Sequence, residues 1–268
     1  MSLAGFLRTR WNAVAANAAH RRALANVKPE DLETALADWS RSLKDPTGFY
    51  LDCHRYFHLR LPDQLRAHRS YFRQQRRGFG EDAFHTEWYL LFRTLKPASF
   101  LEIGVYRGQS LSLALMLQDL FACAGVAAGV SPFSPATDSV SRYRADVDYE
   151  ADTRANCQQF STRAPTLLRA YSTDPAAVDF IRSRSWDCIY IDGNHDYEVA
   201  LADWNLCAAS VRPGGVIVLD DSGLSTGFAP PVFATKGHPG PSQVAAEVDS
   251  KSFVEILQVG HNRAFQKR

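Results

Sequence analysis

From Ser99 onward the chain alternates short apolar runs with segments of helical periodicity, and this alternation constrains the fold more than any other feature. SFLEIG is followed by a helix over 110–120, and VAAGV by a helix over 152–161. LLRAYS is followed by a helix that Pro175 opens behind Asp174 as N-cap, WDCIYID by a helix over 198–210, and GGVIVLDD closes the series. Each run has the length of a strand and each periodic segment that of a crossover helix, so the pattern reads as parallel βαβ units. Right-handed crossovers then put helices on both faces of one sheet. The end of the chain differs, because SFVEILQVG and NRAFQKR are strand-like and joined by a Gly-His-Asn connection suited to a hairpin. The expected architecture is α/β: a Rossmann-like, mostly parallel seven-stranded sheet finished by a C-terminal antiparallel hairpin.

Residues 1–95 have another texture. DLETALADWSRSL and FHTEWYLLFRTL carry apolar side chains at three- and four-residue intervals without β-branched runs, and Lys96-Pro97 stops the last helix. A length of 268 residues suits one large domain with an extension better than two full domains. The expected division is a helical extension or lid over 1–95 and a ligand-binding domain over 96–268. The first acid is Glu30, so the opening segment, with Arg8, Arg10, Arg21 and Arg22, has the charge bias of an organellar transit peptide but no secretory core. A basic helix packed on the body or on a second subunit is preferred, and a homodimer is expected. The longest apolar runs, SLALML and ACAGVAAGV, fall well short of the roughly 18 to 20 residues a membrane span needs. The five cysteines are odd in number, scattered and without a Cys-x-x-Cys pair, which fits a reducing cytoplasm, with Cys188 and Cys207 as small core residues. Gly223 to Pro241 is rich in Gly and Pro and reads as a long loop.

The first strand runs into Glu102-Ile103-Gly104-Val105-Tyr106-Arg107-Gly108-Gln109-Ser110. Gly104 and Gly108 allow a tight turn and close approach to a ligand, and the following helix N-terminus offers free N–H groups to a carboxylate. The glycines are four apart, unlike the G-x-G-x-x-G of dinucleotide sites, and an acid before the first of them disfavours a phosphate ligand. Glu102 can hold a cationic amino group instead. These features suit the methionine portion of S-adenosylmethionine, with Tyr106 and Ser110 among the residues expected to contact it.

A second constellation lies downstream. Ile191-Asp192-Gly193-Asn194-His195-Asp196-Tyr197 follows one expected strand and Asp220-Asp221 follows the next, both at strand C-terminal ends, where open α/β sheets bind ligands. Neighbouring strands are about 5 Å apart, so Asp192, Asp220 and Asp221 can converge. Converging carboxylates without a counter-charge repel, and a hard divalent cation resolves the conflict. Oxygen-only ligands favour Mg²⁺, Mn²⁺ or Ca²⁺ over zinc. His195 is the first candidate general base because imidazole titrates near neutrality, with Asp196 second. A structural or metal-supporting role for His195 stands beside that reading.

From Ser99 to the C-terminus the chain resembles the class I S-adenosylmethionine methyltransferases. Its D-G-x-H-x-Y and P-G-G-V-I-V-L-D-D segments resemble the family-24 group and the metal-dependent O-methyltransferases of the catechol, macrocin and aminocoumarin-sugar types. The resemblance implies Asp192, Asp220 and Asp221 as metal ligands, Asp192 also at the cofactor, and O-methylation of a hydroxylated small molecule. Where the family places an acid after the second strand, to bind ribose, this chain has Ser131, with Asp138 nearby. Tyr171-Ser172-Thr173-Asp174-Pro175 stands where the family has G-D-S-T-D-P, which implies adenine contacts from Tyr171 and Ser172. Asn194 stands where the sugar-modifying relatives carry an Asp that acts as base.

Three rival readings remain at this level. His54 to Arg77 holds seven arginines and one acid with Tyr56, Phe57, Tyr71 and Phe72 interleaved, a pattern compatible with a nucleic-acid substrate. Against it stand the net charge of +1 and the absence of a D/N-P-P-Y/F segment. The same stretch can instead form a lid, with Arg76-Arg77-Gly78-Phe79-Gly80 as a loop over the site. A non-catalytic cofactor-binding protein and a metal-dependent relative of the cephalosporin hydroxylases complete the set.

Overall fold

The computed structural model describes the chain except residues 1–2, 26, 75–76, 124, 135–142 and 145, with side chains from Val14 onward. Asp138 and Arg76 therefore lie outside the described residues. Six helices come first: α1 (Leu3–Leu24), α2 (Pro29–Ala37), α3 (Ser40–Lys44), α4 (Pro46–Leu59), α5 (Asp63–Gln74) and α6 (Asp82–Leu95). The alternating part follows as β1 (Ser99–Ile103), α7 (Gln109–Leu120), β2 (Val126–Ser131), α8 (Tyr149–Phe160), β3 (Thr166–Arg169), α9 (Pro175–Arg182), β4 (Trp186–Ile191), α10 (Tyr197–Ser210) and β5 (Val211–Leu219). Helix α11 (Pro239–Ala246) and the strands β6 (Phe253–Val259) and β7 (Asn262–Lys267) complete it.

The sheet order is β3-β2-β1-β4-β5-β7-β6. Strands β1 to β5 pair in parallel, while β7 runs antiparallel to both β5 and β6. This is the Rossmann-like architecture read from the alternation. The hairpin is tighter than expected, since only Gly260-His261 separates β6 from β7 and Gly260 sits at φ 62°.

One face of the sheet packs a cluster in which Leu36, Phe49 and Tyr50 of the early helices join Phe92, Phe100, Val216 and Leu257. The other face packs Ile181, Trp186, Trp204 and Phe265 beneath α9, α10 and α11. The change of texture at residues 95 and 96 therefore marks no gap in the core: Trp88 of α6 lies edge-on to both Phe100 and Tyr190 of the sheet. Burying such aromatic side chains stabilises the fold by about 2 kcal/mol each. Cys188 and Cys207 are buried in the core as expected, and all five cysteines are free thiols. No described helix is long and apolar enough to cross a membrane.

Candidate active site

Parallel pairing puts Ile103 opposite both Val130 and Ile191, and Ile191 opposite Leu219, so the chain leaves β1, β2, β4 and β5 on one edge of the sheet. The loops there surround a cavity of about 780 Å³, within the usual range for small-ligand sites. Glu102, Gly104, Tyr106, Ser110, Ser131, Tyr171, Ser172, Asp192, His195, Asp220 and Asp221 all line it. Gly108 and Asp196 are not among its lining residues. Gly108 is the N-cap of α7, at φ 79°. Asp196 is exposed at the N-cap of α10.

Glu102 is 2% exposed, and Ser110 Oγ donates to its Oε1 at 2.5 Å. Its other oxygen, Oε2, is buried without a hydrogen-bond partner. Burial pushes this carboxyl up to about 7, Asp220 adds repulsion, and the Ser110 bond opposes both. Such an oxygen beside a cavity fits a cationic ligand group. The first glycine turns the chain at φ 97°, and a Cβ on it would lie 1.9 Å from the Asp192 carbonyl oxygen. Gly104 is thus required by the close approach of two chain segments at the site. A Cβ on Gly108 would lie 2.9 Å from Thr153 Cγ2.

Ser131 is buried at the end of β2, and Tyr106 packs against Phe79, Tyr143 and Tyr149. Tyr171 is 45% exposed at the cavity rim. Its N–H donates to Asp174 Oδ2 at 2.9 Å, so the Asp174 side chain braces this loop and makes no capping bond to α9. Ser172 hydrogen-bonds to Asp203 of α10, a buried carboxyl raised to about 6 by burial. Sequence periodicity does not reveal Asp203, which stands in a helix with no motif around it.

On the acidic side, Asp192 and Asp220 hydrogen-bond to each other, and burial together with Asp220 raises the Asp192 carboxyl well above its ordinary value. Asp192 therefore holds the proton that the pair shares. Asp220 stays ionised because His261 Nε2 lies 3.2 Å from its Oδ1. The expectation that no counter-charge reaches these carboxylates is thus corrected. His261, in the β6–β7 turn, also lies 3.7 Å from Asp221 Oδ1, and its imidazole is raised to about 10 against the effect of burial by Asp220 and Asp221.

Asp221 is held at φ 52°, an uncommon conformation for a residue other than glycine that costs on the order of 1 kcal/mol or more. Its carbonyl oxygen accepts from His238 N–H and Ser242 Oγ. This posture turns Oδ2 toward His195 Nε2 at 2.9 Å while Oδ1 faces His261. The rings of His195 and His238 are 4.6 Å apart. Ligand atoms of Asp220, Asp221 and His261 all lie within 4.8 Å of one another, and so do those of His195, Asp221 and His238. With His261 serving as counter-charge, the imidazoles open to a cation are those of His195 and His238 beside Asp221, and an imidazole donor widens the ions the site suits from Mg²⁺ toward Mn²⁺ and its neighbours.

Several residues of the basic-aromatic stretch are paired or buried. Arg55 pairs with Asp52, Arg69 with Asp82 and Arg77 with Asp152, while Tyr56, Phe57 and Phe72 are buried. Arg69 also donates to the carbonyl oxygens of Phe79 and Gly80, and Gln109 Nε2 to that of Phe79, so the loop at the cavity mouth is tied from below.

Residues 101–222 match a family model described as a methyltransferase domain, of the family-24 type. Over these residues the chain is similar to methyltransferase domains of that family. The matched segment runs from β1 to just past Asp221 and so contains both the glycine turn and the acids. An uncharacterized protein of Acanthamoeba polyphaga mimivirus is 27% identical over 130 residues, 46% of this chain and 51% of that one. The chain thus spans about half the length of this curated relative. Similar solved structures include a Podospora anserina methyltransferase with S-adenosylhomocysteine bound, at TM-score 0.54, 15% identity and 78% and 89% coverage of the two chains. An O-methyltransferase from Bacillus cereus, also with S-adenosylhomocysteine, gives 0.53, 14%, 84% and 100%. An O-methyltransferase of tomaymycin synthesis from Streptomyces achromogenes, with S-adenosylmethionine, gives 0.50, 13%, 83% and 96%. At these identities the likeness establishes the methyltransferase fold.

Proposed function

We propose that this chain is an S-adenosylmethionine-dependent O-methyltransferase that methylates a hydroxyl of a small molecule with the help of a divalent cation. One observation carries the reading: a single cavity is lined both by Glu102, whose Oε2 is unpartnered, and by the Asp192–Asp220–Asp221–His195 group. Bound S-adenosylmethionine supplies an electrophilic methyl group on a sulfonium. A bound cation lowers the pKa of a hydroxyl that it ligates.

The chain's own residues supply the rest. Glu102 takes the ammonium group of the cofactor, Ser131 the ribose side, and Tyr171 and Ser172 the adenine. Asp220 and Asp221 present the ligand oxygens, and the proton that Asp192 shares with Asp220 marks where a second positive charge can be exchanged for a cation. His195 receives the proton of the acceptor hydroxyl, its ring oriented by Asp221 Oδ2. The remaining cavity, rimmed by Phe79, Phe233 and His238, takes the acceptor. A cavity of about 780 Å³ and arginines already paired with acids support a small acceptor over a nucleic acid, as do the O-methyltransferase names among the similar structures. The test is transfer of a labelled methyl group to a panel of hydroxylated small molecules, with Mg²⁺ or Mn²⁺ and with chelator. Transfer that requires the cation and disappears in Asp220→Asn/Asp221→Asn is expected. Transfer indifferent to chelator would remove the cation from the account, and transfer to RNA or DNA alone would replace the acceptor class.

A further inference from the structure

Three imidazoles meet away from the cavity, where α1 crosses α4. His54 and His58 are four residues apart on α4 and so share one helix face, the spacing by which a helix offers two imidazoles to one metal ion. His20 of α1 completes the group: its Nδ1 is 2.9 Å from His54 Nε2, and ligand nitrogens of all three residues lie within 4.8 Å of one another. Their ring centroids are 4.6–5.0 Å apart at interplanar angles of 60–89°, so the rings meet edge to face instead of stacking. A fourth donor is at hand, since Asp82 Oδ2, at the start of α6, lies 3.1 Å from His58 Nε2.

We propose that His20, His54 and His58, with Asp82, bind one late transition-metal dication of the zinc type and thereby fasten α1 to the body of the protein. Three nitrogens and one carboxylate oxygen form a four-coordinate donor set that suits zinc. Zinc–nitrogen bonds of about 2.0–2.1 Å in a tetrahedron separate ligand atoms by roughly 3.3 Å, close to the 2.9 Å between His20 Nδ1 and His54 Nε2 and the 3.1 Å between His58 Nε2 and Asp82 Oδ2, and the remaining pairs draw together as the ion binds. One observation points to a missing ligand: His54 Nδ1 is buried without a hydrogen-bond partner. Burial and mutual repulsion hold His20 and His54 below the ordinary imidazole value, which leaves them in the neutral form that binds metal. Arg69 and Arg73 also face Asp82, at 3.0 and 3.6 Å, and the carboxylate offsets part of their charge. Arg55 Nε donates to the Ala23 carbonyl oxygen and already aligns the end of α1 with α4. Phe233, which lines the cavity, stacks on His54 at 4.6 Å, so the site abuts the acceptor wall without opening into it.

The site stands independently of the proposed methylation, because its ligands differ from those at the cavity. The test uses chelator-stripped Asp220→Asn/Asp221→Asn protein, which disables both acid–histidine groups there, titrated with Zn²⁺ in a calorimeter and with Co²⁺ in a spectrophotometer. One equivalent of Zn²⁺ and the intense visible bands of four-coordinate Co²⁺ are expected. His20→Ala and His58→Ala should each weaken binding at least tenfold and abolish the rise in Tm that Zn²⁺ gives the parent. His20 is only partly buried, so the first of these variants keeps its fold. Absence of Zn²⁺ binding in the parent, or binding unchanged by His20→Ala, would overturn the proposal.

Discussion

Replacing Glu102 with Gln should act in opposite directions on stability and on cofactor affinity. In the folded protein the Glu102 carboxyl is held at about 7 against an ordinary 4.5, chiefly by burial. An acid raised in this way stabilises the fold while it keeps its proton, below about pH 4.5, and loses that contribution as pH rises through 7. The native state binds the extra proton between those limits, so stability falls with pH across them. By linkage the penalty at pH 8 is about 3 kcal/mol. Gln keeps the shape without the charge and retains a polar partner for Ser110. Urea unfolding of ligand-free protein, two-state conditions being verified by coincident probes, should therefore find Glu102→Gln more stable than the parent by about 1–3 kcal/mol at pH 8 and nearly equal to it near pH 5. Affinity for S-adenosylmethionine should move the other way, because a charge-assisted hydrogen bond to the ammonium is worth about 1.5–3 kcal/mol, or roughly 10- to 100-fold. Equal stability differences at the two pH values, or unchanged affinity, would refute the reasoning.

Other consequences follow from the same geometry. His261, raised to about 10, contributes stability that is complete below about pH 6.5 and lost as pH rises through 10. His261→Gln should cost about 3–5 kcal/mol at pH 7 in metal-free protein, a difference that closes by pH 11 in denaturant titrations. Gly104→Ala puts a methyl group 1.9 Å from the Asp192 carbonyl at φ 97°, so calorimetric scans should show a loss of about 3 kcal/mol or more, with cofactor binding lost as well. Arg69→Ala frees the carbonyls of Phe79 and Gly80 and removes a partner from buried Asp82; a loss of about 3 kcal/mol is expected in unfolding, and KM for the acceptor should rise more than KM for the cofactor in steady-state assays.

The sheet was legible because its strands and helices alternate locally, and each element declares itself within ten residues. The acids at 192, 220 and 221 were legible because β4 and β5 are neighbours and each ends on the same edge. His261 was not, since it lies in a hairpin turn where polar residues are ordinary. Only the pairing of β7 with β5, which spans more than forty residues of sequence, brings it to Asp220. Its presence changes the electrostatics, turning an expected cluster of repelling carboxylates into one with a built-in counter-charge. In the arginine-rich stretch Asp52 pairs with Arg55 from the same helix, while Asp82 and Asp152 reach Arg69 and Arg77 from other elements, pairings that no local spacing encodes. Gly104 was correctly placed at the site, yet its necessity comes from the Asp192 backbone, a contact between two strands' ends that no local pattern encodes.

Calorimetric titration of the purified protein with S-adenosylmethionine tests the central claim most directly. The account predicts one equivalent bound, with affinity that falls roughly 10- to 100-fold in Glu102→Gln; no detectable binding at millimolar cofactor would contradict it.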